Sequence, residues 1–318
     1  MDYVVERSIK MKTNEHDFVT YGRRFSTYKW FKPIVVAILF IVFSLIFSSI
    51  LTFLCGHAAT DSTAFINQLN GGYDTMDVAH ALSVISSEGA VATMIPALAL
   101  AVFIVKDRPF SSYQSSRGGW NYRIFFIGLL ISLIIVGIPN LILTFVMHDG
   151  TGINQFTIAG FIMLTLLGPM QCVAEEYVFR GLLMQTFGSW FRLPVLAVIL
   201  QAAIFASMHP YNVIGVLEVF VFGLTFGLVA WMTKGIEIAS AAHIINNMVA
   251  FYTSGFGIGA IKEDVAMKTC MFGIIIDVVI ILVFFVIRKK TNLFEQVKRD
   301  DVAEFNQKMQ ARMERKRA

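Results

Sequence analysis

The chain alternates long apolar stretches with short polar breaks. Eight runs rich in Leu, Ile, Val, Phe and Ala lie near 33–54, 84–105, 124–147, 156–186, 194–209, 212–232, 236–254 and 270–287. Most reach the roughly 20 residues a helix needs to cross a hydrocarbon core of about 30 Å. Within each run the apolar residues are continuous rather than alternating, which predicts helices and not barrel strands. Only helices and closed barrels satisfy their backbone hydrogen bonds in lipid. The pattern therefore predicts an all-α, polytopic transmembrane helical bundle of about eight spans. A polar segment, 1–32, precedes the membrane domain at 33–290, and a charged tail occupies 291–318.

Composition supports the same class. The 318 residues are 56% hydrophobic and 15% charged, against about 25% charged in soluble domains. Cys55, Cys172 and Cys270 show no CxxC spacing, so neither a disulfide framework nor a cysteine metal site is expected. The first apolar run follows a polar, basic stretch and is too long for a signal-peptide core, so it reads as a retained span.

Lysine and arginine positions orient the bundle. Lys10, Lys12, Arg23, Arg24, Lys29 and Lys32 place the N-terminal segment in the cytoplasm. Residues 56–105 contain no Lys or Arg, so the first loop lies outside. Lys106, Arg108, Arg117 and Arg123 return the chain inside, and the loop 107–121, rich in Ser and Gly, reads as a simple connector. His148 to Gln155 lacks Lys and Arg and lies outside, while Arg192 and Lys234 mark inside turns. Arg288-Lys289-Lys290 and the tail are cytoplasmic, which puts both termini on that side. The last outer loop departs from the rule, since it holds Lys262 and Lys268. The tail reads as a solvated, membrane-anchoring helix, and no nucleic-acid partner is expected.

Polar residues inside the apolar runs carry the candidate chemistry. A charged residue in the middle of a span costs roughly 2.5–3.5 kcal/mol on insertion scales, so its presence needs a reason. Glu175, Glu176 and Arg180 fall within six positions. Glu176 and Arg180 are four apart, a spacing that pairs acid with base on one helical face. Glu175 lies about 100° round the helix and needs a partner on another span. His209 follows Phe205 by one turn at the end of the fifth run. His243 and Asn247 share a face of the seventh, with the adjacent Asn246 pointing elsewhere. Glu218 and Asp277 are isolated acids in the sixth and eighth runs. Singly, each histidine or asparagine reads as interhelical hydrogen-bonding glue. Together, a carboxylate, two imidazoles and an amide on nearby spans suit hydrolysis: a carboxylate base activates water, and His and Asn donors stabilise the oxyanion. Two alternatives use the same residues. Glu175, His209 and His243 are also a donor set for zinc, although no HExxH motif is present. Intramembrane Glu, His and Asp equally suit a proton-coupled transporter, although no inverted repeat is visible.

Glu175-Glu176-x-x-x-Arg180, Phe205-x-x-x-His209 and His243-x-x-x-Asn247 resemble, in order, the EExxxR, FxxxH and HxxxN motifs of the CAAX-protease and bacteriocin-processing intramembrane endopeptidases, which include the Ras-converting enzymes. The resemblance centres on 156–254 and looks most like the prokaryotic branch. It implies an endopeptidase of the cell membrane acting on a membrane-associated peptide or protein. Glu175 and His209 would activate water, His243 and Asn247 would stabilise the oxyanion, and Glu176, Arg180 and Phe205 would support them. The family has been described both as zinc-dependent and as metal-free. A non-catalytic immunity or scaffold protein of the same fold is the remaining alternative. One geometric conflict is visible: a fourth span running inward from Phe156 carries Glu175 about 28 Å down, while His209 ends an outward-running span. A fourth span shifted to roughly 163–187 would reduce the mismatch.

Overall fold

The structure is a computed structural model and describes residues 17–317, so Lys10 and Lys12 lie outside the described residues. Those residues form an all-helical bundle and carry no strand, only an isolated bridge between Ser115 and Gly235. The eight apolar runs appear as α1 (Lys32–Ala58), α2 (Ala81–Val105), α3 (Tyr122–Met147), α4 (Ile158–Phe191), α5 (Pro194–Ser207), α6 (Val213–Met232), α7 (Glu237–Gly255) and α8 (Met267–Lys290). The tail forms α9 (Asp301–Arg317). Large apolar side chains are exposed along the outer helices, including Leu45, Phe53, Leu130, Val146 and Ile158. Such continuous exposure fits lipid and not water. The chain is a multi-pass integral membrane protein.

Six of the eight helices are long and apolar enough to span a bilayer unaided. The other two are α5, which is short, and α7, which carries several polar residues. With 14 residues, α5 extends only about 21 Å. The 19 residues of α7 include Glu237, His243, Asn246 and Asn247, and sequestration inside the bundle lets it carry them.

Local signals explain the helix limits. Asn121, Thr157 and Asn212 cap α3, α4 and α6 by accepting backbone N–H bonds from Ile124, Gly160 and Gly215. Pro33 and Pro194 open α1 and α5, where a missing N–H costs nothing. Lys106, His148 and Arg192 end α2, α3 and α4 in the left-handed conformation. A cation at Lys106 or Arg192 also suits the negative end of the helix dipole.

The segment 107–121 is not a simple connector. It folds into the end of the bundle, with Ser112, Tyr113, Ser115, Ser116 and Arg117 all buried. Arg117 Nη2 lies 2.7 Å from Glu237 Oε2 at the start of α7, and its Nη1 donates to the Thr233 carbonyl. Arg108 stacks 3.7 Å over the Tyr113 ring and donates to Gln185 of α4. Gln185 Nε2 in turn donates to the Ser112 carbonyl at 2.9 Å. Burial pushes the Asp107 carboxyl above its usual range, against the pull of Arg108 3.4 Å away. The Ser/Gly composition concealed this role because the glycines permit tight turns while the polar side chains satisfy buried helix ends.

The tail is also less independent than a solvated helix. Phe294 is buried, Asp301 accepts from Tyr21 and Ser111, and Lys298 N–H donates to the Arg117 carbonyl at 2.8 Å. Beyond Asp301, α9 is largely exposed.

The Arg117–Glu237 pair sets up a stability test. Arg117→Ala leaves the Glu237 carboxylate buried without a counter-charge, a loss of about 3–5 kcal/mol. The thermal unfolding midpoint in detergent should fall clearly below that of an exposed control such as Lys308→Ala, and equal midpoints would contradict the assignment.

Candidate active site

Glu175 and Glu176 occupy adjacent positions on α4, and the structure gives them different surroundings. Glu176 is fully buried. Its Oε1 accepts from Arg180 Nη1 at 2.9 Å and lies 2.9 Å from His243 Nδ1 on α7. Arg180 is equally buried; its guanidinium sits 4.8 Å over the Phe205 ring and 5.6 Å over Phe226. Its Nη2 reaches the Gly223 carbonyl of α6 at 3.3 Å, which also accepts from Gln201 Nε2 of α5 at 2.8 Å. Glycine at 223 lets α5 and α6 approach closely, since a Cβ there would lie 3.0 Å from the Ala202 Cα on α5. The helix winding widens to a π-type turn over Tyr177–Met184, directly after the glutamate pair. Such insertions are frequent at functional sites.

Glu175 faces a cavity of about 580 Å³. Its side chain retains 13% exposure, and Oε2 lies 3.6 Å from His243 Nε2. Glu175 also has a partner on its own helix, contrary to the expectation from spacing alone: Gln171 Nε2 donates to Glu175 Oε1 at 2.7 Å, one turn earlier. Gln171 Oε1 accepts from Asn247 Nδ2 at 3.4 Å, and Asn247 Nδ2 lies 3.3 Å from His243 Nε2. Glu175, Gln171, Asn247 and His243 thus form one connected polar group on the cavity wall.

His209 lines the same cavity, two residues beyond α5. Its Nδ1 lies 2.8 Å from the Phe205 carbonyl. A carbonyl can only accept, so Nδ1 carries the proton and Nε2 is left as an acceptor. The Phe205 ring packs 4.6 Å from the imidazole. Among the described residues, His209 makes no hydrogen bond to Glu175. The apparent conflict in depth disappears when distances are measured from the turn that α4 and α5 share. The fourth helix extends to Phe191, not Thr186, so Glu175 lies sixteen residues, about 24 Å, above that end. His209 lies fifteen residues beyond Pro194, at a comparable height.

The cavity collects more polar groups than the three motifs contain. Glu218 and Asp277 both line it, as do Glu88, Asn140 and Asn246. Asn246 does not point away: its Nδ2 donates to Asn247 Oδ1 at 3.2 Å, and its Oδ1 accepts from Asn140 Nδ2 of α3 at 3.1 Å. Glu88 was detectable by the rule that singled out Glu175, as an acid inside an apolar span. Gln171, a neutral residue outside the motifs, gave no comparable signal. Among the described residues, no three His, Cys, Asp or Glu side chains stand close enough together to hold a metal ion. Glu175 and His243 approach to 3.6 Å, while His209 stands apart from them.

Residues 155–249, which hold all three motifs, match the family model described as type II CAAX prenyl endopeptidase Rce1-like. The matched segment is similar to that family and comprises α4, α5, α6 and the first two-thirds of α7. The chain is also 31% identical over 166 residues to the uncharacterized protein YyaK of Bacillus subtilis (strain 168), covering 48% of this chain and 55% of that protein. It therefore spans about half the length of the curated relative it matches. No solved structure matches the chain.

The unequal burial of the two glutamates gives a direct comparison. Glu176→Gln removes the one carboxylate that, among the described residues, lies within ion-pair distance of the buried Arg180, and the expected loss of stability is about 3–5 kcal/mol. Glu175→Gln retains an acceptor for Gln171 on a cavity wall and should shift the thermal midpoint much less. Equal shifts in one detergent would refute the division of roles.

Proposed function

We propose that the protein is an intramembrane endopeptidase that hydrolyses a peptide bond of a membrane-associated peptide or protein by activating water with Glu175 and His209. The observation that carries this reading is the gathering of Glu175, His209, His243 and Asn247 around one cavity within the Rce1-like segment.

The chemistry follows from which atoms are already engaged. Glu175 Oε2 has no hydrogen-bond partner among the described residues and is closed off from solvent, so the carboxylate must turn into the cavity to meet water; the inferred tautomer of His209 leaves its Nε2 as an acceptor. Both can hold a water molecule and take its proton. The water oxygen then attacks the scissile carbonyl, forming a C–O bond and a tetrahedral oxyanion. Collapse breaks the C–N bond, and the proton taken from water passes to the departing amine.

His243 and Asn247 serve the oxyanion. With Nδ1 held against the Glu176 carboxylate, His243 has an Nε2–H only as the imidazolium. Glu176 thus fixes the ring with Nε2 turned toward Glu175 and Asn247 on the cavity wall. This resembles the use of a buried carboxylate to orient and stabilise an imidazolium in hydrolases. Asn247 Nδ2 supplies a second donor on the same wall.

Glu175→Gln, and separately His209→Ala, should abolish cleavage of a membrane peptide by purified protein while leaving the folded yield intact. Asn247→Ala should lower kcat by about 10²–10³, the effect of losing one oxyanion donor. Full activity in the Glu175 variant would overturn the mechanism. Zinc content of the purified, active protein tests metal dependence: stoichiometric zinc lost together with activity on chelation would replace direct activation of water by a metal-assisted route.

A further inference from the structure

The two ends of the bundle differ in charge and in closure. At one end, Arg23 donates to the Ser189 carbonyl, Arg117 binds Glu237, and Lys234 pairs with Glu295. This end gathers the N-terminal segment, the 107–121 segment, Arg192 and the Arg288-Lys289-Lys290 run. At the other end, the loop around 72–77 meets the loop around 256–266, where Glu263 N–H donates to Asp74 Oδ1 at 2.9 Å. Lys262 pairs with Asp149 at 3.3 Å, and Gly152 N–H donates to the Gly257 carbonyl at 2.8 Å. Among the described residues, this second end carries only Lys262 and Lys268 as Lys or Arg. The excess of basic residues marks the first end as cytoplasmic.

The cavity belongs to the second end. Its loop-derived walls come from 68–77, 209–211 and 260–265, all at the end poor in basic residues. Its helical walls come from α2, α3, α4, α6, α7 and α8 with Phe205 of α5, and they reach past mid-helix at Phe226, His243 and Ile280. Toward the cytoplasmic end, every residue of α7 from Glu237 to His243 is buried. Below them lies the Arg117–Glu237 pair, under a segment whose Tyr113, Ser115 and Ser116 are equally buried.

We propose that the cavity receives its substrate from the non-cytoplasmic side, so that the peptide bond cut belongs to an exported or extracytoplasmic segment of a membrane-associated chain. This substrate class rests on the endopeptidase reading, whereas the direction of opening does not. A modified C-terminus on the cytoplasmic face would meet the basic, closed end. A segment already translocated meets the loops that line the cavity, and reaches Glu175 between α2, α6 and α7.

The test separates sidedness from catalysis. Single cysteines are placed at the rim (Thr75→Cys, Lys262→Cys), on the cavity wall (Glu218→Cys, Thr269→Cys) and on the tail (Lys308→Cys). Native Cys55, Cys172 and Cys270 are buried and give a low background. Intact spheroplasts are treated with the membrane-impermeant cation trimethylammonium-ethyl methanethiosulfonate, with labelling after denaturation as the control for total protein. The rim and wall positions should react in intact spheroplasts, and Lys308→Cys only after permeabilisation. Rim labelling only after permeabilisation overturns the orientation. Labelled rims with both wall positions protected overturn the opening. A membrane reporter with its cleavable segment on either side then tests the substrate: cutting only outside, lost in Glu175→Gln, is expected. Cutting only inside contradicts the proposal. Absence of cutting on both sides, with outward labelling intact, counts against the endopeptidase reading and leaves the direction of opening standing.

Discussion

The burial of Glu176 is the constraint on which the rest of the structure depends. A carboxylate without solvent contact inside a membrane bundle must be paired, because an isolated charge there is far too costly. Arg180 supplies the counter-charge from the next turn of α4, and His243 supplies a hydrogen bond from α7. Arg180 in turn needs surroundings that tolerate a guanidinium. It finds two aromatic faces and a backbone carbonyl, with α5 and α6 brought close at Gly223. Four helices are thereby locked in register around one ion pair.

That arrangement releases Glu175 from a structural role. The adjacent position on the helix turns its carboxylate toward the cavity, where Gln171 holds one oxygen and the other faces His243. The same carboxylate that neutralises Arg180 orients His243, so the ion pair and the cavity wall share an atom, Glu176 Oε1. The polar interior is tolerated because the outward faces of the surrounding helices are apolar, and α7, with the densest set of polar residues, has most of its residues buried. At the basic end, the 107–121 segment satisfies the ends of α4, α6 and α7 with side chains that would otherwise require water.

Most of the helical plan was legible in the sequence, since continuous apolar runs and terminal Pro, Asn and Thr signals locate helices well. The widest departures were about five residues, at the end of α4, where aromatic residues continue the helix through a polar stretch. The Glu176–Arg180 pair followed from spacing, and the motifs named Glu175, Phe205, His209, His243 and Asn247 among the residues that line the cavity. The contacts formed across the bundle were not legible. Gln171 bears no charge, so it produces no anomaly in an apolar run, although its amide links Glu175 to Asn247. Asn246 looked misdirected because a single helix was considered, while α3 supplies its partner in Asn140. The 107–121 segment resembled a loop because Ser and Gly report backbone freedom, not whether the backbone is buried.

A structure of the protein in lipid with a peptide phosphonate, whose tetrahedral group imitates the hydrated peptide bond, tests the division of the glutamate pair most directly. The expected result places one phosphonate oxygen within hydrogen-bonding distance of His243 Nε2 and Asn247 Nδ2, and another beside Glu175 and His209, with Glu176 still closed on Arg180. A phosphonate held by Glu176, or one bound away from Glu175, would contradict the central claim.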